Sequence, residues 1–96
     1  MLSTKSVSAE NQFAGPIEIK GLFGVSIQST NWGSTIVTLQ RSFDGVTYND
    51  IDTYTSNLEA VDWEPGRSEW GESVYYRLGV KTGAYDSGPV VCTIYQ

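Results

Sequence analysis

The residue types that most often carry out catalysis are scarce in this chain. Among its 96 residues there is no histidine, and Cys92 is the single cysteine. Histidine is the commonest general base and metal ligand, and a Ser-His-Asp triad requires it. One cysteine without histidine argues against a thiol protease and against a multi-cysteine zinc site. The sequence therefore predicts a protein that is not an enzyme and that holds no cofactor or metal.

Asp50 and Asp52 form a carboxylate pair whose spacing could still do chemistry. Two residues apart in an extended segment, they are expected to share a face of a strand. Such a pair could act on a glycosidic bond or supply oxygen ligands to Ca²⁺. Because a chain of this size offers no cleft around them, a solvated acidic face is the preferred interpretation, with calcium binding and catalysis as the alternatives.

Acidic residues are concentrated in one part of the sequence. Residues 44–72 contain eight Asp or Glu and one arginine, and the whole chain has a formal charge of −5. An acidic flank repels phosphate, so no nucleic-acid partner is expected. No apolar run approaches the roughly 20 residues of a membrane helix, and residues 1–13 lack the pattern of a signal peptide. We therefore expect no membrane partner and synthesis in a cytoplasm.

Short runs of alternating apolar and polar residues, separated by turn residues, predict an all-β chain. Six to seven strands are expected, at residues 21–29, 35–43, 46–55, 57–63, 73–82 and 89–95, with an arm or edge strand at residues 1–15. Asp44-Gly45 between two runs predicts a hairpin. The pattern indicates a small antiparallel β-sandwich, immunoglobulin-like or jelly-roll-like, with no significant helix.

The alternation also predicts a core and a domain boundary. The side chains expected between the two sheets are Phe23, Val25, Ile27, Val37, Leu39, Leu78 and Val80. Residues 1–15 are interpreted as an N-terminal arm or edge strand, and residues 16–96 as a single β-sandwich domain.

Large apolar and aromatic side chains are the candidates for contacts with another chain, because they anchor protein interfaces. These candidates are Leu2, Val7, Phe13, Trp63, Trp70, Tyr75, Val91 and Tyr95. We predict that the arm and the terminal strand 89–95 contact another chain by strand addition. A carbohydrate-binding module that uses Trp63, Trp70 and Tyr75 is an alternative.

Two segments resemble small all-β proteins encoded among the structural genes of tailed bacteriophages. They are residues 32–45, WGSTIVTLQRSFDG, and residues 74–83, VYYRLGVKTG, and the likeness extends over about residues 21–96. The resemblance implies a non-enzymatic virion protein that binds the outer surface of a capsid as a decoration or cement protein. Its implied partners are the major capsid protein or other virion proteins, in many copies or as a homo-oligomer. A neck, tail or fibre component is the alternative.

Residues 42–48, SFDGVTY, also resemble the Asp-box hairpin of sialidases and related β-propellers. One residue of that motif is missing and the glycine is displaced. Since the Asp-box is a folding device, the resemblance implies a structural turn and no active site.

Overall fold

The computed structural model describes residues 2–61 and 74–96, which form eight β-strands and no helix. The strands are β1 (Leu2–Val7), β2 (Gln12–Ile19), β3 (Gly24–Gln28), β4 (Val37–Ser42), β5 (Asn49–Tyr54), β6 (Leu58–Val61), β7 (Val74–Val80) and β8 (Val90–Tyr95). The predicted all-β class is confirmed. The predicted number of six to seven strands is too low, because β1 and β2 both form in the N-terminal segment.

The strands form two four-stranded antiparallel sheets. The first sheet has the order β1-β8-β3-β6, and the second sheet has the order β2-β7-β4-β5. The first strand pairs with the last, the second with the second to last, and so on inward: β1 with β8, β2 with β7, β3 with β6, and β4 with β5. Pairing of β3 with β8 and of β4 with β7 joins these pairs into sheets.

The core lies between the two sheets and contains every side chain predicted for it. Phe23, Val25, Ile27, Val37, Leu39, Leu78 and Val80 are all buried. On β7 the alternation is complete, with Val74, Tyr76, Leu78 and Val80 inside. The Phe23 and Tyr76 rings meet with centroids 4.5 Å apart. Burial of each such side chain stabilises the fold by about 1.5–3 kcal/mol relative to exposure, so this layer holds the sheets together.

The N-terminal segment is part of both sheets. β1 is an edge strand of the first sheet, paired with β8 from Leu2 opposite Tyr95 to Val7 opposite Val90. β2 continues through residue 15, where the sequence places the boundary of the domain. The Oγ of Ser3 accepts a hydrogen bond from the Gly15 N–H at 2.8 Å, which links β1 to β2.

The two ends of the sandwich differ in what they carry. At one end lie the first residue of β1, the last residue of β8, the loops 20–23 and 43–48, and the strand ends Val61 and Val74. We call this the terminus end. At the opposite end lie the connections 8–11, 29–36, 55–57 and 81–89. Trp63 and Trp70 fall between Val61 and Val74, outside the described residues.

Candidate interaction surface

Those predicted interface residues that the structure describes do not form one surface. Val7 is wholly buried opposite Val90 and belongs to the core. Its prediction as a contact to another chain is wrong, because β1 pairs within the chain and turns Val7 inward. Leu2 and Tyr95 lie directly opposite each other at the terminus end, whereas Val91 lies at the opposite end. Phe13 and Tyr75 are on the second sheet.

A row of apolar positions crosses the outer face of the first sheet at the terminus end. Cross-strand neighbours share a face of a sheet. Tyr95 is the partner of Leu2 on one side and of Gly24 on the other, and Gly24 is in turn the partner of Val61. The Tyr95 ring covers Gly24, which is buried beneath it. The row therefore presents Leu2, the Tyr95 ring and Val61 to solvent.

A groove of about 240 Å³ lies beside this row, lined by Leu22, Phe23, Gly24, Val61, Tyr95 and Gln96. Hydrogen bonds from Gln96 to the loop 20–23 hold one side of this groove in place. The side-chain amide of Gln96 donates to the carbonyl oxygens of Lys20 and Leu22, the latter at 2.9 Å. Its Oε1 accepts from the Lys20 N–H at 3.4 Å. Gln96 thus holds Leu22 beside the row.

The hairpin between β4 and β5 adds two more exposed apolar side chains, Phe43 and Val46. Its turn is fixed by Asp44, whose Oδ1 accepts from the Ser42 hydroxyl and from the N–H groups of Val46 and Thr47, each at 2.8 Å. These bonds stabilise the carboxylate, the Thr47 N–H most, and lower the pKa of Asp44 to about 2. The predicted hairpin at Asp44-Gly45 is confirmed, and Asp44 organises its turn.

All strongly exposed large apolar side chains of the described residues lie at the terminus end. They are Val46 (81% exposed), Val61 (70%), Leu2 (66%), Phe43 (66%) and Leu22 (59%). Ile36 and Val91, at the opposite end, are 39% and 37% exposed. We call these five residues, with Tyr95, the apolar end. Exposed apolar side chains gathered in one region mark contact surfaces.

Four of these residues were absent from the sequence prediction: Leu22, Phe43, Val46 and Val61. For three of them, the sequence contains a pattern from which their exposure could have been predicted. Leu22 follows Gly21, and Phe43 and Val46 flank Asp44-Gly45, so each is an apolar residue in a turn. A turn exposes its side chains, and apolar residues there require another explanation than the core. Val61 carried no such signal, because it belongs to an alternating strand.

Phe13 and Tyr75 are engaged within the chain on the outer face of the second sheet. The Arg77 guanidinium lies between two rings, 4.2 Å from the centroid of Phe13 and 4.1 Å from that of Tyr48. Its Nε donates to Gln40 Oε1 at 2.7 Å. A hydrogen bond with Glu18 raises the pKa of Tyr75 above its ordinary value. These two aromatics therefore stabilise the sheet rather than extend the apolar end.

Asp50 and Asp52 do not share a face, contrary to the prediction. The register shifts between Leu39 and Gln40 because β5 has an extra residue, Ile51, at a β-bulge. Asp50 therefore lies opposite Gln40 and Asp52 opposite Leu39, and these two successive residues of β4 face opposite sides. Asp50 forms a salt bridge with Lys81 and accepts from Gln40 Nε2 at 2.8 Å. In residues 2–61 and 74–96, no group of three or more carboxylate or thiol side chains could hold a metal ion.

The Cys92 thiol is buried in the core, and burial raises its pKa to about 12. The thiolate, which is the nucleophile and metal ligand, is therefore disfavoured.

No protein-family model matches the chain, and neither a curated protein nor a solved structure is significantly similar to it. The resemblance to phage structural proteins thus depends on the motif residues alone. The part of the chain that the structure describes contains no helix long and apolar enough to span a membrane.

Proposed function

We propose that this chain is a non-enzymatic virion protein that docks on the outer surface of a bacteriophage capsid as a decoration or cement protein, and that the apolar end is its docking surface. The observation that carries the proposal is the confinement of Leu2, Leu22, Phe43, Val46 and Val61 to one end of the sandwich. Their burial against a partner would contribute roughly 25 cal/mol per Å² of apolar surface removed from water.

The loops of the apolar end are held in place before any partner arrives. Asp44 fixes the turn that carries Phe43 and Val46, and Gln96 fixes the loop that carries Leu22. A preformed surface loses less conformational freedom on binding, so more of its contact energy remains as affinity. This supports a surface built for docking.

We further propose that the fold is a jelly roll rather than an immunoglobulin fold. Pairing β1 with β8, β2 with β7, β3 with β6 and β4 with β5 is what results when one long antiparallel ribbon is wound into two sheets. Constant-type immunoglobulin domains instead divide seven strands as four and three. Jelly rolls have eight strands and are found in viral capsid and lectin domains.

The proposed partner is the major capsid protein or another virion protein, contacted by many copies of this chain, with no nucleic acid or membrane involved. A neck, tail or fibre component would use the same apolar end and remains the alternative. The carbohydrate-binding alternative rested on Trp63, Trp70 and Tyr75. Tyr75 forms a side-chain hydrogen bond with Glu18, and the two tryptophans lie outside the described residues.

Co-sedimentation tests the choice between these partners. The full-length protein, fluorescently labelled, is mixed with shells that lack it and, separately, with tails, both purified from the phage that encodes it. We expect saturable binding to the shells, competed by unlabelled protein, and none to the tails. Binding to tails alone would replace the proposal with the alternative, and binding to neither would reject both.

A further inference from the structure

A second depression lies at the end of the sandwich opposite the apolar end. It has a volume of about 310 Å³ and is lined by Gln28, Ser29, Thr30, Asn57, Pro89 and Val91. This size is at the lower end of the roughly 300–1,000 Å³ typical of small-ligand sites. Its residues come from the end of β3, the loop that follows it, the β5–β6 connection and the start of β8.

Asn57 is the most firmly oriented group in this depression. Its Oδ1 accepts from the Trp32 indole Nε1 at 2.8 Å and from the Ser29 N–H at 2.9 Å. The Ser29 hydroxyl donates to the Pro89 carbonyl oxygen at 2.9 Å, which joins the β3–β4 loop to the start of β8. Because two hydrogen bonds hold Oδ1, the orientation of the Asn57 amide is fixed, and no described residue accepts a hydrogen bond from its Nδ2.

The lining suits a neutral ligand rich in hydroxyl groups. None of the six residues is charged, so the depression offers nothing to compensate a phosphate or a carboxylate. The Gln28 and Asn57 amides and the Thr30 hydroxyl donate and accept hydrogen bonds, and Pro89 and Val91 supply apolar surface. A sugar ring presents both kinds of surface, hydroxyl groups at its edge and C–H groups on its faces.

An extended peptide fits less well. Peptides recognised through their backbone add to a free strand edge. Here β3 is paired with β8 along its whole length and with β6 as far as Ile27, so little of its backbone is left for a peptide. Recognition must use side chains, which is how polyols are held. We propose that Gln28, Thr30, Asn57, Pro89 and Val91 form a binding site for a neutral monosaccharide unit of a glycan.

This site stands independently of the proposed capsid docking, since the two surfaces are at opposite ends of the sandwich. A shallow site with few hydrogen bonds binds one sugar weakly. Display of many copies on one particle would raise the overall avidity without any new contact. If the apolar end docks, the sugar site faces away from the docking surface.

Titration of the ¹⁵N-labelled protein followed by NMR tests the site. The probes are glucose, galactose, mannose, fucose, N-acetylglucosamine and N-acetylgalactosamine, each added to saturation. At least one should shift the side-chain amide signals of Gln28 and Asn57 and the indole signal of Trp32 in a saturable way. Asn57→Asp keeps the acceptor for Trp32 and Ser29 but removes the donors, and Gln28→Ala removes an exposed amide. Each should weaken binding about tenfold.

Val61→Asp, at the apolar end, is the matched control and should leave sugar binding unchanged. The proposal is overturned if no sugar of the panel gives saturable shifts, if the shifts arise around Tyr75 instead, or if Asn57→Asp and Gln28→Ala bind as wild type does. Because Val61→Asp is expected to impair docking on shells and not sugar binding, failure of one proposal is distinguishable from failure of the other.

Discussion

The ring of Tyr95 lies directly over Gly24, on the neighbouring strand of the first sheet. A Cβ at Gly24 would overlap Cζ, Cε2 and the hydroxyl oxygen of that ring. The close approach requires glycine. Tyr95 lies in the row between Leu2 and Val61, so the shape of the apolar end depends on this pair.

Gly24→Ala and Gly79→Ala should differ in their cost. At Gly24 the obstructing atoms are the far end of the Tyr95 side chain, which can swing away. At Gly79 a Cβ would lie 2.6 Å from Phe13 Cα and 2.9 Å from Gln12 C, and this backbone cannot move without disturbing β2. We expect Gly79→Ala to destabilise by about 1–3 kcal/mol or more, and Gly24→Ala by less. Urea unfolding measures both, and equal losses would contradict the packing described.

Leu39→Ala and Leu78→Ala should each lower the free energy of unfolding by about 2–5 kcal/mol, because both side chains are fully buried between the sheets. The matched control is Leu22→Ala, at an exposed leucine, which should change it by no more than about 0.5 kcal/mol. Thermal melting followed by circular dichroism is the measurement. Core variants that melt like Leu22→Ala would refute the core assignment.

Because the pKa of Asp44 is lowered in the folded protein, the free energy of unfolding should decrease in acid. The shift of this pKa is from 3.8 to about 2, so the unfolded chain takes up the proton first as the pH falls. The stabilisation is therefore complete above about pH 4 and is lost as the pH falls through 2. Asp44→Ala lacks it at every pH. The difference in melting temperature between wild type and Asp44→Ala should shrink over this interval, and a constant difference would contradict the role of the carboxylate.

Ca²⁺ should leave the melting temperature unchanged, as should its removal with EDTA. Asp50 is paired with Lys81 and Gln40, and the bulge separates it from Asp52. A ligand that binds only the folded state raises stability, so the melting temperature reports binding directly. A rise of several degrees with millimolar Ca²⁺ in wild type, and none in Asp50→Asn, would establish the cation site that we do not expect.

The sequence predicted strands well where alternation is regular and failed where a bulge interrupts it. β7 alternates without a break, and its inward residues were identified. In β2 the buried residues are Ala14, Ile17 and Ile19, because the register shifts between Ala14 and Ile17. That spacing has no constant period of two, so the sequence indicates only an arm or edge strand over residues 1–15 and no separate strand at Gln12–Ile19. The bulge in β5 likewise separated the carboxylates that were expected together.

The candidate surface was predicted in part, since Leu2 and Tyr95 were both named and are brought together. What the sequence could not show is which strands are neighbours. The row exists because β1, β8, β3 and β6 lie side by side, and the residues that meet in it are up to 93 positions apart, from Leu2 to Tyr95. The predicted strand addition at residues 89–95 is wrong, because β8 is already paired with β1 on one side and with β3 on the other. Strand addition at the edge of β1 stays a prediction.

Deleting residues 1–14 is a poor test of contacts made by this segment. The deletion would remove β1, the buried Val7 and the beginning of β2, so loss of binding could reflect loss of the fold. Point substitutions of exposed residues keep the core intact and separate the two effects.

The most direct test of docking through the apolar end compares two exposed valines on the outer face of the first sheet. Val61→Asp places a charge in the apolar row, and Val91→Asp places the same charge at the opposite end. Both proteins should melt close to wild type, since neither side chain is in the core. Occupancy on purified shells, measured by co-sedimentation, is predicted to fall sharply for Val61→Asp and to stay at the wild-type level for Val91→Asp. Wild-type occupancy for Val61→Asp, or loss for Val91→Asp alone, would contradict the assignment of the docking surface.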